Sequence, residues 1–122
     1  MRYMFLIYSQ EKEVQRPPEE IEALKAAHFS VMQDAREKGV LLGLAGLKST
    51  SAASTVRIKD GRPITLDGPF AETKEQLAGY YILECQDLDE ALAWAARIPS
   101  SCKGGEGCIE VRPVADFPKP LL

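Results

Sequence analysis

At 122 residues the chain has the length of one domain, enough to bury an ordinary core without a metal or disulfide staple. Its 45% hydrophobic and 27% charged residues exclude a disordered or fibrous chain. The net charge of −3, with Lys and Arg dispersed among acids, argues against a nucleic-acid binder. No apolar run approaches the roughly 18 residues that span a membrane.

The opening RYMFLIY (2–8) is a continuous apolar run and predicts a central, buried strand. The polar stretch 9–20 leads into a helix, with Pro18 tolerated in its first turn and Glu19 and Glu20 favourable at its N-terminus. The spacing of Ile21, Leu24, Ala27, His28, Val31, Met32 and Ala35 predicts a helix over 19–38 with one apolar stripe, stopped by Gly39. A second strand is expected over 40–48, where glycines allow a bulge or a close backbone approach. A small polar loop follows at 49–54. Residues 55–66 read as a hairpin turning at Asp60-Gly61. A third long strand is expected over 77–85 and a short helix over 88–98, with Asp87 as its N-cap and Glu90 at the capping-box spacing. A loop at 99–107, a last strand at 108–114 and an irregular tail at 115–122 complete a single domain.

Without the hairpin this order is βαββαβ, the ferredoxin-like α+β arrangement. Two helices cover one sheet face. The other face then carries apolar residues with nothing in the chain to cover it, so a homodimer is expected, sheet against sheet. The odd cysteine count fits a reducing compartment, and no small-residue cleavage site follows the N-terminal run, so a cytoplasmic location is expected. Cys85 reads as a buried, inert thiol. Cys102 and Cys108 flank a glycine-rich loop and can pair, hold a metal or stay free. With one histidine in the chain, no metal site is expected, and free thiols are the favoured reading.

The stretch TLDGPFAETKEQLAGYYILE (65–84) carries the most specific signal. Together with MRYMFLIY at the start, LKAAHFSVM in the first helix, and DLDEALAWAARIP and IEVRPV near the end, it resembles the YCII-related family, in the branch named for its Asp-Gly-Pro-Phe motif. The likeness runs to about Val114. It implies a dimer within the dimeric α+β barrel group. Relatives include a dehydrochlorinase acting on a chlorinated hydroxyhydroquinone. Members of the branch resemble domains encoded beside, or fused to, extracytoplasmic-function sigma factors, so the resemblance allows a sigma factor as a partner, by genetic link or by contact. The family is proposed to use a His–Asp pair in a cleft. His28 matches the histidine. The acid's Asp-Pro step reads Ile98-Pro99 here, which leaves Asp67 as the candidate replacement.

Each candidate has a structural alternative. His28 is either a general acid–base or a histidine hydrogen-bonded at the core edge. Asp67 either orients His28 or caps the turn before Gly68-Pro69. Phe70 plugs the cleft floor or a subunit seam, or touches a ligand. Glu72 and Lys74 meet substrate or are simply solvated, and Arg57 holds a carboxylate or enolate or faces water. Tyr80 and Tyr81 point to opposite sheet faces, so one is core or interface and the other can line a pocket, with Tyr81 as the candidate to meet substrate. No cofactor motif is present. The expected function is acid–base chemistry by His28 and Asp67, of lyase or isomerase type and without a cofactor, on a small polar organic molecule. The alternative is a non-catalytic ligand-binding or regulatory dimer working with a sigma factor.

Overall fold

The computed structural model describes residues 1–11, 17–99 and 107–116. The elements in chain order are β1 (Arg2–Ser9), α1 (Pro18–Glu37), β2 (Leu41–Gly46), a short 3-10 turn (Thr50–Ala52), β3 (Ser54–Lys59), β4 (Arg62–Asp67), β5 (Gln76–Glu84), α2 (Leu88–Arg97) and β6 (Cys108–Pro113). The expected order therefore holds, with boundaries moved by a residue or two. The loop expected at 99–107 and the end of the tail lie largely outside the described residues, and Cys102 with them.

One antiparallel four-stranded sheet runs β2-β5-β1-β6, and β3 and β4 form a separate two-stranded sheet. This is the ferredoxin-like α+β arrangement with an inserted hairpin. Strand periodicity separates the two faces of the large sheet. Tyr3, Phe5 and Ile7 of β1 and Tyr81 and Leu83 of β5 are buried, and they form one core with Val31 and Ala35 of α1 and Ala91 and Trp94 of α2. Both helices therefore cover the same face. The intervening residues Met4, Leu6 and Tyr8 of β1, and Tyr80 and Ile82 of β5, lie on the opposite face and are half-buried.

The caps follow the sequence. The Asp87 carboxylate accepts the Glu90 amide at 2.9 Å and starts α2. Gly39 closes α1 with φ +72°, and its amide bonds the Arg36 carbonyl. The two helix ends are tied together by Asp34, which accepts from Arg97 at 2.6 Å and Lys38 at 3.3 Å. The Arg97 guanidinium beside it holds the Asp34 carboxyl below the usual carboxylate range, and both cations lie over the Trp94 ring.

The stripe on α1 is buried only in part. Val31 and Ala35 are in the core, Leu24, His28 and Met32 are half-buried, and Ile21 and Ala27 are exposed. The C-terminal half of the helix packs on the sheet while the N-terminal half does not, and a cavity remains between them.

Candidate functional site

That cavity has a volume of about 310 Å³. Its helix wall is Leu24, His28 and Met32, one side of α1 at spacings of four. Its floor is made by the facing ends of β2 and β5, where Ala45 and Gly46 lie beside Ala78 and Gly79. Backbone closeness makes this floor. A Cβ at Gly79 would stand 2.6 Å from the Ala45 carbonyl oxygen and 3.3 Å from the Gly46 Cα. The close approach expected of the glycines in 40–48 is thus enforced by a glycine on the neighbouring strand, since Gly46 itself has free space. The expected irregularity of β2 is present as a register shift between Leu41 and Gly43.

His28 is half-buried, and its Nδ1 lies 2.8 Å from the Tyr81 hydroxyl. Tyr81 is 4% exposed and reaches the cavity from the helix side of β5, while Tyr80 takes the opposite face. Burial lowers the His28 pKa below its ordinary 6.5, and burial pushes the Tyr81 phenol up to about 12. Both groups are therefore neutral at neutral pH. Among the described residues, no carboxylate or cation lines this cavity. Two hydrogen-bonding patterns suit the pair. In one, Tyr81 donates to Nδ1 and Nε2–H is left as a donor. In the other, Nδ1–H donates to the phenol oxygen and Nε2 is left as a base.

The remaining candidates sit elsewhere. Asp67 ends β4 and lines a second, polar depression of about 730 Å³ with Glu11, Glu72 and Thr73. An adjoining apolar depression of about 630 Å³ is lined by Pro69, Phe70, Leu47, Tyr8 and Leu77. Tyr8 and Leu77 are cross-strand partners on the sheet face away from the helices. The expected His28–Asp67 pairing is not formed within the chain: the histidine bonds Tyr81, and the Asp67 segment borders the other side of the sheet. Phe70 is 75% exposed and plugs nothing in this chain. Arg57 is exposed on β3 opposite Ile64, and Glu72 and Lys74 are exposed. Of the seven candidates, the structure hydrogen-bonds His28 to Tyr81 and brings Asp67 and Glu72 to one depression.

The chain turns at Gly68 through its backbone, and the Asp67 carboxylate caps no amide among the described residues. Gly68 has φ +94°, its amide bonds the Ala53 carbonyl at 2.7 Å, and its carbonyl accepts the Thr55 hydroxyl at 2.8 Å. Glu11 carries a role that its sequence context did not suggest. Its carboxylate accepts the Thr50 amide at 2.8 Å and the Thr50 hydroxyl at 2.6 Å, so it holds the 3-10 turn. No local signal pairs residues so far apart. Among the described residues, no group of three or more His, Cys, Asp or Glu could hold a metal ion.

Fold and site together define a small ferredoxin-like α+β domain with a neutral His–Tyr pair in an apolar cavity between a helix and the sheet. The chain matches the model of the YCII-related domain over residues 1–118 and belongs to that family. It is also similar to an uncharacterized protein of Rhizobium meliloti (strain 1021), 41% identical over 116 residues that span 94% of this chain and 93% of the relative. No described helix is long and apolar enough to cross a membrane.

Proposed function

We propose that the His28–Tyr81 cavity binds a small, uncharged organic molecule and that His28 moves a proton on it without a cofactor. The observation that carries this reading is the 2.8 Å contact of Nδ1 with a buried phenol inside a cavity that Leu24, Met32 and Leu44 make apolar. A formally charged ligand would lose its hydration there with no opposite charge among the described lining residues to replace it. A carbonyl or hydroxyl group keeps a partner at Nε2. Tyr81 holds the ring, and the two tautomers let Nε2 either donate to a ligand oxygen or take a proton from carbon. This moves the family's acid–base idea from a His–Asp to a His–Tyr pair. The stretch Asp67-Gly68-Pro69-Phe70 supports placing the chain in the motif-named branch. The open sheet face, with Met4, Leu6 and Ile82 half-buried, supports a homodimer packed through it.

The test is deuterium uptake from D₂O at the carbon beside the carbonyl of small cyclic ketones. The wild-type chain is expected to accelerate it, and His28→Gln to lose about 100-fold or more. Binding is followed by the His28 ring signals in NMR. Carboxylates that bind and shift those signals while ketones and phenols do not would overturn the reading. A second reading, binding without turnover, is favoured by the lack of a carboxylate behind His28 among the described residues. Ketone or phenol binding at His28 with no exchange in wild type selects it.

A further inference from the structure

The β3–β4 hairpin stands apart from the large sheet. Among the described residues its strands pair only with each other, and the hydrogen bonds at its base lie around Ala53, Thr55 and Gly68. A lone two-stranded hairpin is marginal in water and needs a surface to pack on. Here both faces are bare. Val56 and Ile58 are 60% and 70% exposed on one, and Ile64 and Leu66 are 40% and 52% exposed on the other. The cross-strand register puts Arg57, Lys59 and Arg62 on the face that carries Ile64 and Leu66, with the cations towards the tip. None of the three makes an ion pair among the described residues.

The surface at the hairpin's base has the opposite character. Phe70 and Leu47, 75% and 50% exposed, border an apolar depression that Glu75 also lines. The adjoining depression is edged by Asp67 and Glu72. These carboxylates likewise make no ion pair among the described residues. A basic, aliphatic arm and an acidic, apolar groove thus occur on one chain. They are separated by the length of a six-residue strand, roughly 20 Å. The arm points away from its own groove and cannot fill it.

We infer that the hairpin of one copy lies in the Asp67–Phe70 groove of a second copy. A two-fold axis satisfies both at once. Two hairpins side by side and antiparallel bring each basic tip to the other's acidic base, the self-complementary contact that a dimer of this symmetry requires. Phe70 becomes a buried anchor under the partner's arm. The motif of residues 67–70 then has a physical purpose: Gly68 bends the chain at the base of the arm and presents Phe70 to the neighbour. The inference rests on the homodimer reading above and is independent of the chemistry at His28.

Charge reversal tests it. One variant reverses the tip (Arg57→Glu, Lys59→Glu, Arg62→Glu), and another reverses the groove edge (Glu72→Lys, Glu75→Lys). Each is followed by sedimentation equilibrium, with circular dichroism to confirm the fold. Wild type is expected to be a dimer, and each variant alone to dissociate about tenfold more readily or worse. Mixed together they are expected to recover a tight heterodimer, because acidic tips then meet basic grooves and basic tips meet acidic ones. Variants that fold and dimerise like wild type, or that fail to recover on mixing, overturn the inference and leave the sheet-to-sheet dimer standing. A wild-type monomer at micromolar concentration overturns both.

Discussion

Replacing Gly79 with alanine puts the construction of the cavity floor to a direct test. The new Cβ would stand 2.6 Å from the Ala45 carbonyl oxygen. The closest ordinary carbon–oxygen contacts between strands are about 3.3 Å, so β2 and β5 must part by several tenths of an ångström at least. The obstacle is backbone held in a ladder, not a side chain that can swing away. Overpacking of this kind costs about 1–3 kcal/mol. The reduced chain entropy of alanine in a strand returns about 0.5–1 kcal/mol. Because the obstacle is backbone, the upper half of the overpacking range applies and the net loss is about 1–2.5 kcal/mol, and at this chain length each kcal/mol lowers the melting temperature by about 3–6 °C. Calorimetry should therefore find Gly79→Ala melting roughly 3–15 °C below wild type. Gly46→Ala is the control. It lies on the partner strand, no atom lies within 4 Å of its Cβ, and its φ is not positive, so no loss is expected. A Gly79→Ala chain as stable as wild type would refute the close-approach argument, and so would equal losses at the two positions.

Tyr81→Phe keeps the ring in the core and removes the hydroxyl 2.8 Å from His28. Urea titration should show a loss of about 1 kcal/mol, and the nitrogen shifts of the His28 ring should report an altered tautomer balance. The His28 pKa is lowered by burial, so the unfolded chain binds the proton more readily. The stability this represents is complete above about pH 6.5 and falls as pH drops from there to the depressed folded value. The stability difference between wild type and His28→Gln should therefore shift with pH in that window, and a difference constant from pH 8 to 5 would count against a neutral, buried ring. Asp87→Ala removes the cap of α2 and should cost about 1 kcal/mol by thermal or urea unfolding, with the His28 signals unchanged.

The resolved elements were readable because their signals are local. The continuous apolar run of β1, the spacing of α1 and the Asp60-Gly61 turn each lie within one stretch of chain. Asp87 and Glu90 announce the start of α2 in the same way. The site was readable only by halves. His28 is marked by its place on an apolar stripe, and Tyr81 by adjacency to Tyr80 on a strand, yet nothing in the sequence joins residues 28 and 81. The pairing with Asp67 seemed natural because a carboxylate is the usual partner of a histidine. Placing Asp67 at the end of a hairpin that never enters the main sheet removed that partner. Phe70 was readable only in kind: bulk after Gly-Pro suggests a plug of a cleft floor or a subunit seam, and its exposure leaves the floor of its own chain unfilled.

Residue spacing alone determined which stretches become helix or strand and which face of each is apolar, because backbone geometry repeats with fixed periods of 3.6 and 2. That was enough to predict a ferredoxin-like sheet with one face covered by helices. Only the tertiary structure decided that α1 leaves the sheet at its N-terminal half, that Gly79 lets β2 and β5 close beneath it, and that the imidazole meets a phenol. These depend on the order of strands across the sheet and on distances between residues far apart in the chain, and a periodicity fixes neither.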